Sequence, residues 1–282
     1  MNCAWQAFLN LVPMWMREEV DRLGKCDLQE LRLRLGRPPE LVRKTECNWL
    51  DGKTKQEDLE FTVNIASLYS AWSATSICNG YLTAPGGHRV GICGEVTSVN
   101  GTITGISRMT SLCLRVARDF YGIGNGLSKL KGSLLIVGSP GHGKTTLLRD
   151  AIRCISAETQ RNIAVVDERM EIFPVYSGEF CFSPGERTDV LSGCPKAYGI
   201  EMLLRTMTPH MIAVDEITCN EDAQSLLRAS RCGADLMATA HAAGMEDLRM
   251  RQTYKTLLQE NLFQHVVIMG ADKSWTYERM IQ

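Results

Sequence analysis

The chain has 282 residues and a mass of 31.4 kDa, with 44% apolar and 22% charged residues, enough for one large or two modest globular domains and unlike a disordered, collagenous or coiled-coil chain. Its 31 basic and 32 acidic side chains leave a net charge of −1, with 15 and 13 of them in residues 1–130 and 16 and 19 in residues 131–282, far from the basic balance of an electrostatic nucleic-acid binder. No stretch approaches the ~20 apolar residues of a membrane span, the N-terminus lacks a basic signal-peptide region and is broken by Pro13, and the 11 scattered cysteines read as reduced cytosolic thiols.

Pro13 and Gly24 frame a short helix over residues 14–23, in which Met14, Trp15 and their neighbours are expected to be buried. Leu31, Leu33 and Leu35 then alternate with Arg32 and Arg34, which predicts a strand with one apolar and one basic face. Pro38-Pro39 ends it, and Asp51-Gly52 marks a turn. A helix is expected over about residues 62–78. Asn100-Gly101, between residues 95–99 and 102–106, predicts a hairpin. A further strand carries Leu114 and Val116 against Arg115 and Arg118.

The glycine-rich segment 121–131 reads as a linker. It divides the chain near residue 125 into an α+β N-terminal domain, 1–125, and a second domain, 126–282. In the second domain strands are expected at 133–137, 163–166, 211–214 and 236–239. Helices are expected at 145–156 and 221–232, the latter stopped by Gly233. Strands alternating with helices predict a predominantly parallel sheet covered on both faces.

Gly138-Ser139-Pro140-Gly141-His142-Gly143-Lys144-Thr145 has the spacing of a phosphate-binding P-loop, followed by Thr146 and an amphipathic helix. Its glycines let the backbone turn N–H groups toward phosphate oxygens, and the helix adds its positive end. Lys144 is assigned to the β- and γ-phosphates and the Thr145 hydroxyl to Mg²⁺. His142 inside the loop stands where it meets phosphate. A second magnesium-side acid belongs at a strand end, and Asp215 after Ile212-Ala-Val214 supplies it. Glu216 is then the natural base for the attacking water.

A second acidic strand end carries Asp167, Glu168 and Glu171. His241, at the end of the fourth strand, is placed to sense the γ-phosphate. Arg205, before the acidic strand, either touches phosphate or caps a helix. No guanine-recognition element is present, which favours ATP. Thr218 and Glu221 are spaced as a capping box for the next helix.

The strings at residues 31–38, 85–91, 166–169 and 187–197 resemble the stage III sporulation protein AA family, over about residues 12–269. That family is related to the ATPases of type II and type IV secretion and of type IV pili. The resemblance implies a RecA-like P-loop NTPase domain preceded by a smaller α+β domain. It matches Asp167–Glu171 to the family's aspartate box, His241 to its histidine box, and Arg205 to an arginine upstream of the acidic strand. It also implies a homohexamer in which N-terminal arginines, here Arg115 and Arg118 and then Arg89 and Arg34, reach a neighbour's phosphate.

The implied role is a Mg²⁺-dependent ATPase in the mother-cell cytoplasm of a spore former. It would be peripheral to the forespore-facing membrane, act with channel proteins of the sporulation apparatus and bind no nucleic acid. Two alternatives stay open: a nucleotide-gated scaffold with little hydrolysis, and a RecA-like nucleic-acid motor.

Overall fold

The computed structural model describes residues 2–67 and 80–280. The chain divides into two compact units, residues 1–119 with 175–181 and residues 120–174 with 182–282.

The first unit opens with α1 (Trp5–Leu11) and α2 (Met14–Gly24). There follow β1 (Leu28–Arg34), β2 (Glu40–Arg43), β3 (Cys47–Trp49), α3 (Gln56–Ser67), β4 (Tyr81–Thr83), β5 (Arg89–Val99) and β6 (Thr102–Arg115). The strands make an antiparallel sheet in the order β3-β2-β1-β6-β5-β4. Leu31 and Leu33 of β1 are fully buried, as their alternation with arginine requires. The arginine face is already paired: Arg32 contacts Glu30 at 2.7 Å and Arg34 contacts Glu40 at 2.6 Å.

Three expectations for this half need correction. Met14 is 79% exposed and Trp15 49% exposed. A short helix buries one stripe, here Met16 and Val20, four residues apart. Trp15 instead donates its indole N–H to Asp58 at 2.9 Å. The helix expected over residues 62–78 begins earlier, at Gln56, where Asp58 accepts the Lys55 amide at 2.8 Å and satisfies a first-turn donor. Its part beyond Ser67 lies outside the described residues. The strand around Leu114 is no separate element. It is the far end of β6, the long second arm of the hairpin that turns at Asn100 (φ 51°) and Gly101 (φ 78°).

The second unit contains β7 (Leu134–Gly138), α4 (Lys144–Glu158) and β8 (Ile163–Asp167). A two-stranded ribbon, β9 (Val175–Tyr176) with β10 (Glu179–Phe180), falls in the segment assigned to the first unit. The second unit resumes with β11 (Thr188–Ser192), α5 (Lys196–Thr206), β12 (Met211–Val214), α6 (Asn220–Arg231) and β13 (Asp235–His241). It ends with α7 (Met245–Met250), α8 (Gln252–Gln259), β14 (His265–Met269) and β15 (Trp275–Arg279).

These form a seven-stranded sheet in the order β11-β8-β12-β13-β7-β14-β15, parallel except for β15. The four strands expected from sequence are its central four. β7, β8 and β12 are buried at every position, so each reads as a continuous apolar run. The parallel register pairs Gly138 with His241 and Val214 with both Ala238 and Val166. The C-terminal ends of β7, β13, β12 and β8 therefore lie side by side, the edge at which open α/β sheets bind ligands.

His88 is fully buried in the first unit. Its Nδ1 accepts the Ala117 N–H at 3.0 Å, so Nε2 carries the proton and donates to the Ala4 carbonyl at 3.0 Å. Burial, the largest influence, lowers its pKa from 6.5 to about 4. Between those values the unfolded chain binds more protons than the folded one, so stability falls as the pH drops. The shift corresponds to roughly 3 kcal/mol lost below pH 4. Urea unfolding of the full chain at pH 7 and pH 4.5 should show a larger drop in midpoint for wild type than for His88→Gln.

Candidate functional site

The loop between β7 and α4 is shaped by glycine where glycine is needed. A Cβ at Gly138 would lie 2.9 Å from Cβ of Met269, while Gly141 (φ 78°) and Gly143 (φ 94°) take left-handed backbone. α4 starts at Lys144, so its positive end faces the loop. His142 points its Nδ1 at the Met269 carbonyl, 3.1 Å away, which ties the ring to the end of β14.

Lys144 is 5% exposed. Its ammonium donates to the Ser139 carbonyl at 3.1 Å and to Nδ1 of His241 at 2.8 Å. An ammonium has no acceptor, so Nδ1 is the bare nitrogen and the His241 proton sits on Nε2. That nitrogen is 3.5 Å from a Glu216 carboxylate oxygen. Burial lowers the Lys144 pKa, and Asp215 and Glu216 oppose the shift.

The Thr145 hydroxyl donates to Asp215 Oδ2 at 2.7 Å. The other Asp215 oxygen accepts the Thr239 hydroxyl at 2.5 Å and the Glu216 amide at 3.1 Å. The Glu216 amide also reaches Thr239 Oγ1 at 2.8 Å. Glu216 itself has φ 38°, an uncommon backbone for a non-glycine residue. The Arg169 guanidinium stands 3.7 Å from its carboxylate. Lys144, Thr145, Asp215, Glu216 and His241, named from sequence, thus come together. Thr239, inside the strand expected at 236–239, anchors Asp215, a role the sequence reading does not assign to it. The available signal was a hydroxyl two places before the end of a buried strand.

An adjacent hydroxyl and carboxylate fit a hard divalent cation such as Mg²⁺, which takes few protein ligands and fills its shell with water and phosphate oxygens.

The β8 end is built differently. Asp167 is 1% exposed and accepts backbone N–H groups from Glu171 (2.8 Å), Ile172 (3.0 Å) and Phe173 (2.8 Å). Burial pushes its carboxyl up to about 6, although the amides of Phe173 and Ile172 and the Arg149 charge act the other way. Arg149 of α4 donates to the Ile172 carbonyl at 2.5 Å and the Glu171 carbonyl at 2.8 Å. Asp167 and Arg149 therefore grip the 171–173 turn. Glu168 pairs with Lys196 at the start of α5. Glu168, Glu171 and Lys196 line one pocket together with Asp215 and Glu216, so both acidic strand ends face the same space.

Thr218 does not form the expected box with Glu221. Its amide and hydroxyl both donate to Asp222, at 3.0 and 2.9 Å, because the carboxylate four residues on is the one turned back over the start of α6.

Arg205 is 81% exposed at the end of α5 and lies 3.9 Å from Glu201. The N-terminal arginines lie in the first unit. Arg115 is 62% exposed and 3.3 Å from Glu30. Arg118 donates to the Leu28 carbonyl at 2.5 Å, and Arg89 lies 3.8 Å over the Tyr81 ring. Arg34 is paired with Glu40, as described above.

Asp167→Ala would leave the buried amides of Ile172 and Phe173 and the part-buried amide of Glu171 without their acceptor. At about 1–3 kcal/mol for each buried unsatisfied group, a loss of at least about 2 kcal/mol in unfolding free energy is expected from urea titration.

Similarity to known proteins gives the family and the fold. The family described as "Sporulation stage III, protein AA" matches residues 9–280. Stage III sporulation protein AA of Bacillus subtilis (strain 168) is 35% identical over 266 residues, 90% of this chain and 86% of that protein. Among solved structures, the pilus retraction motor PilT with bound ADP superposes with a TM-score of 0.63 at 17% identity, covering 94% of this chain and 81% of the other. The Legionella pneumophila ATPase DotB gives 0.56 at 17% identity, with 95% and 80% covered. At such identity these likenesses establish a fold, the RecA-like α/β fold of secretion ATPases. With the family match spanning nearly its whole length, the chain belongs to the stage III sporulation protein AA family.

Proposed function

We propose that this chain hydrolyses ATP with Mg²⁺ and works as a secretion-type motor that powers or assembles a mother cell–forespore channel. The observation that carries this reading is the meeting of Lys144, Thr145, Asp215 and Glu216 at one edge of the parallel sheet. ATP is the substrate, and its phosphates are taken by the loop amides from Gly138 to Thr146 and by the Lys144 ammonium. Thr145 and Asp215 would hold Mg²⁺, which when bound draws charge from the phosphate oxygens.

Glu216 is the base for the attacking water, and its strained backbone is fixed by Asp215 and Thr239. His241 bridges Lys144 to Glu216, so contact of Lys144 with phosphate is felt at the base. Glu168 and Glu171 complete the acidic wall of the pocket. Arg205 is assigned to phosphate contact at a subunit joint.

The same proposal includes a homohexamer of chains divided near residue 125, with an arginine from one N-terminal domain acting on a neighbour's nucleotide. Arg115 suits that role best, being the more exposed, while Arg118 is tied to the Leu28 carbonyl. Among the described residues no helix is long and apolar enough to cross a membrane. The proposal assigns membrane association to channel partners and the location to the mother-cell cytoplasm, as the family resemblance implies.

Steady-state phosphate release by the purified protein with Mg²⁺ tests the reading. Lys144→Ala should abolish turnover, and Glu216→Gln should slow it by about 10²–10⁴-fold while still binding ATP. Absence of turnover at every protein concentration, or turnover untouched by Lys144→Ala, would overturn it. ATP binding without product, together with a Glu216→Gln variant that behaves as wild type, would leave a nucleotide-gated scaffold.

A further inference from the structure

Lys196 is the first residue of α5 and only 5% exposed. An ammonium at a helix N-terminus faces the positive end of the peptide dipoles, and burial strips its water. Two carboxylates offset both costs. Glu168 contacts Nζ directly, and Asp222 Oδ2 stands 3.8 Å away.

The two acids belong to different strand ends. Glu168 follows β8, next to the Asp167 that grips the 171–173 turn. Asp222 lies in the first turn of α6 and is itself 5% exposed. The Asp222 oxygen that faces Lys196 also accepts the amide and hydroxyl of Thr218. Thr218 is two residues beyond Glu216, whose left-handed backbone persists only while its surroundings hold it. Asp215 and Thr239 hold it at its own amide. On the downstream side Ile217 donates its amide to the Thr239 carbonyl at 3.1 Å and accepts the Tyr254 hydroxyl at 2.7 Å, and beyond it the chain Thr218–Asp222–Lys196–Glu168 adds a second hold. Lys196 also lines the same pocket as Glu216.

We propose that Lys196 is a positioning residue of this site: its buried ammonium clamps the loop after β8 to the loop after β12 and thereby keeps Glu216 aimed into the pocket. The kinetic part of this inference rests on the reading of the site as an ATP hydrolase; the clamp itself does not. The ammonium pairs with Glu168 and Asp222, and its action is on the aim of the base. Its removal therefore bears on the chemical step more than on nucleotide capture.

The test uses the full-length protein in four forms: wild type, Lys196→Met, Lys196→Arg and Glu168→Gln. Lys196→Met keeps the aliphatic stem and deletes the charge. It should lower kcat at least about tenfold with the KM for ATP within about threefold. Lys196→Arg, which restores a cation, should regain a large part of kcat. Amide hydrogen exchange at residues 216–219 should quicken severalfold in Lys196→Met, with the rest of the sheet unchanged, and return toward wild type in Lys196→Arg.

If Lys196→Met does not fold, Glu168→Gln removes half of the clamp and should show the same local pattern at smaller amplitude. Unchanged kcat and unchanged exchange at 216–219 overturn the proposal. So does a general rise in exchange across the whole second unit, which marks a merely structural lysine. If wild type shows no turnover, the hydrolase reading fails, and the exchange arm alone still decides whether the clamp exists.

Discussion

The hydrogen bond from the Thr145 hydroxyl to Asp215, 2.7 Å long, joins two chain segments that only the parallel sheet brings together. Thr145 stands one residue into α4, after β7; Asp215 follows β12, with β13 between the two strands. Gly138 pairs with His241, so β7 and β13 stop at one level, while Val214 pairs with Ala238, so β12 stops three residues earlier and the segment from Asp215 onward runs beside the ends of the other two. A shift of one residue in either pairing would move the side chains at those ends to the opposite face. The phosphate loop, the histidine and the acid thus depend on register, and register depends on the apolar side chains that bury these strands on both faces.

Of the five carboxylates that line this edge, four are held in different ways. Asp167 is buried against backbone amides, Glu168 against an ammonium, and Asp215 against hydroxyls and an amide. Among the described residues the Glu216 carboxylate has longer ion-pair contacts, at 3.5 Å to His241 and 3.7 Å to Arg169. Charge left unpaired in a buried place is costly, so side chains with settled partners form the frame. The one with loose partners is the carboxylate to which the proposed role of base falls. His241 stands between that carboxylate and Lys144, with its single proton on the side of the acid.

What the sequence made legible was contiguous. The loop from Gly138 to Thr145 is a spacing pattern, and Asp215 closes an apolar run, so both could be named without a fold. The central strands were equally plain because burial on two faces leaves uninterrupted Val, Ile, Leu and Ala. The flanking strand β11, only partly buried, mixes Thr, Asp and Ser with apolar residues and gave no such run. Lys196, Thr239 and Arg149 escaped for another reason. Their work is done on residues far along the chain, 28 positions away for Lys196 and Glu168, and local spacing cannot show that. Trp15 departs from the expectation because an aromatic residue on a short helix looks like core, while its indole N–H meets the largely buried carboxylate of Asp58 and leaves the ring half exposed. Thr218 had two acids within reach in sequence, and only the geometry of the helix start chose Asp222 over Glu221.

The central claim is that Thr145 and Asp215 form the cation side of a nucleotide site whose anion side is Lys144 and the loop amides. The most direct measurement is the affinity for labelled ATP with and without Mg²⁺, in wild type and in Asp215→Asn. The account predicts that Mg²⁺ tightens binding to wild type by about tenfold or more, roughly 1.4 kcal/mol, and that Asp215→Asn loses most of that gain. An affinity indifferent to Mg²⁺, or a gain that survives intact in Asp215→Asn, would contradict it.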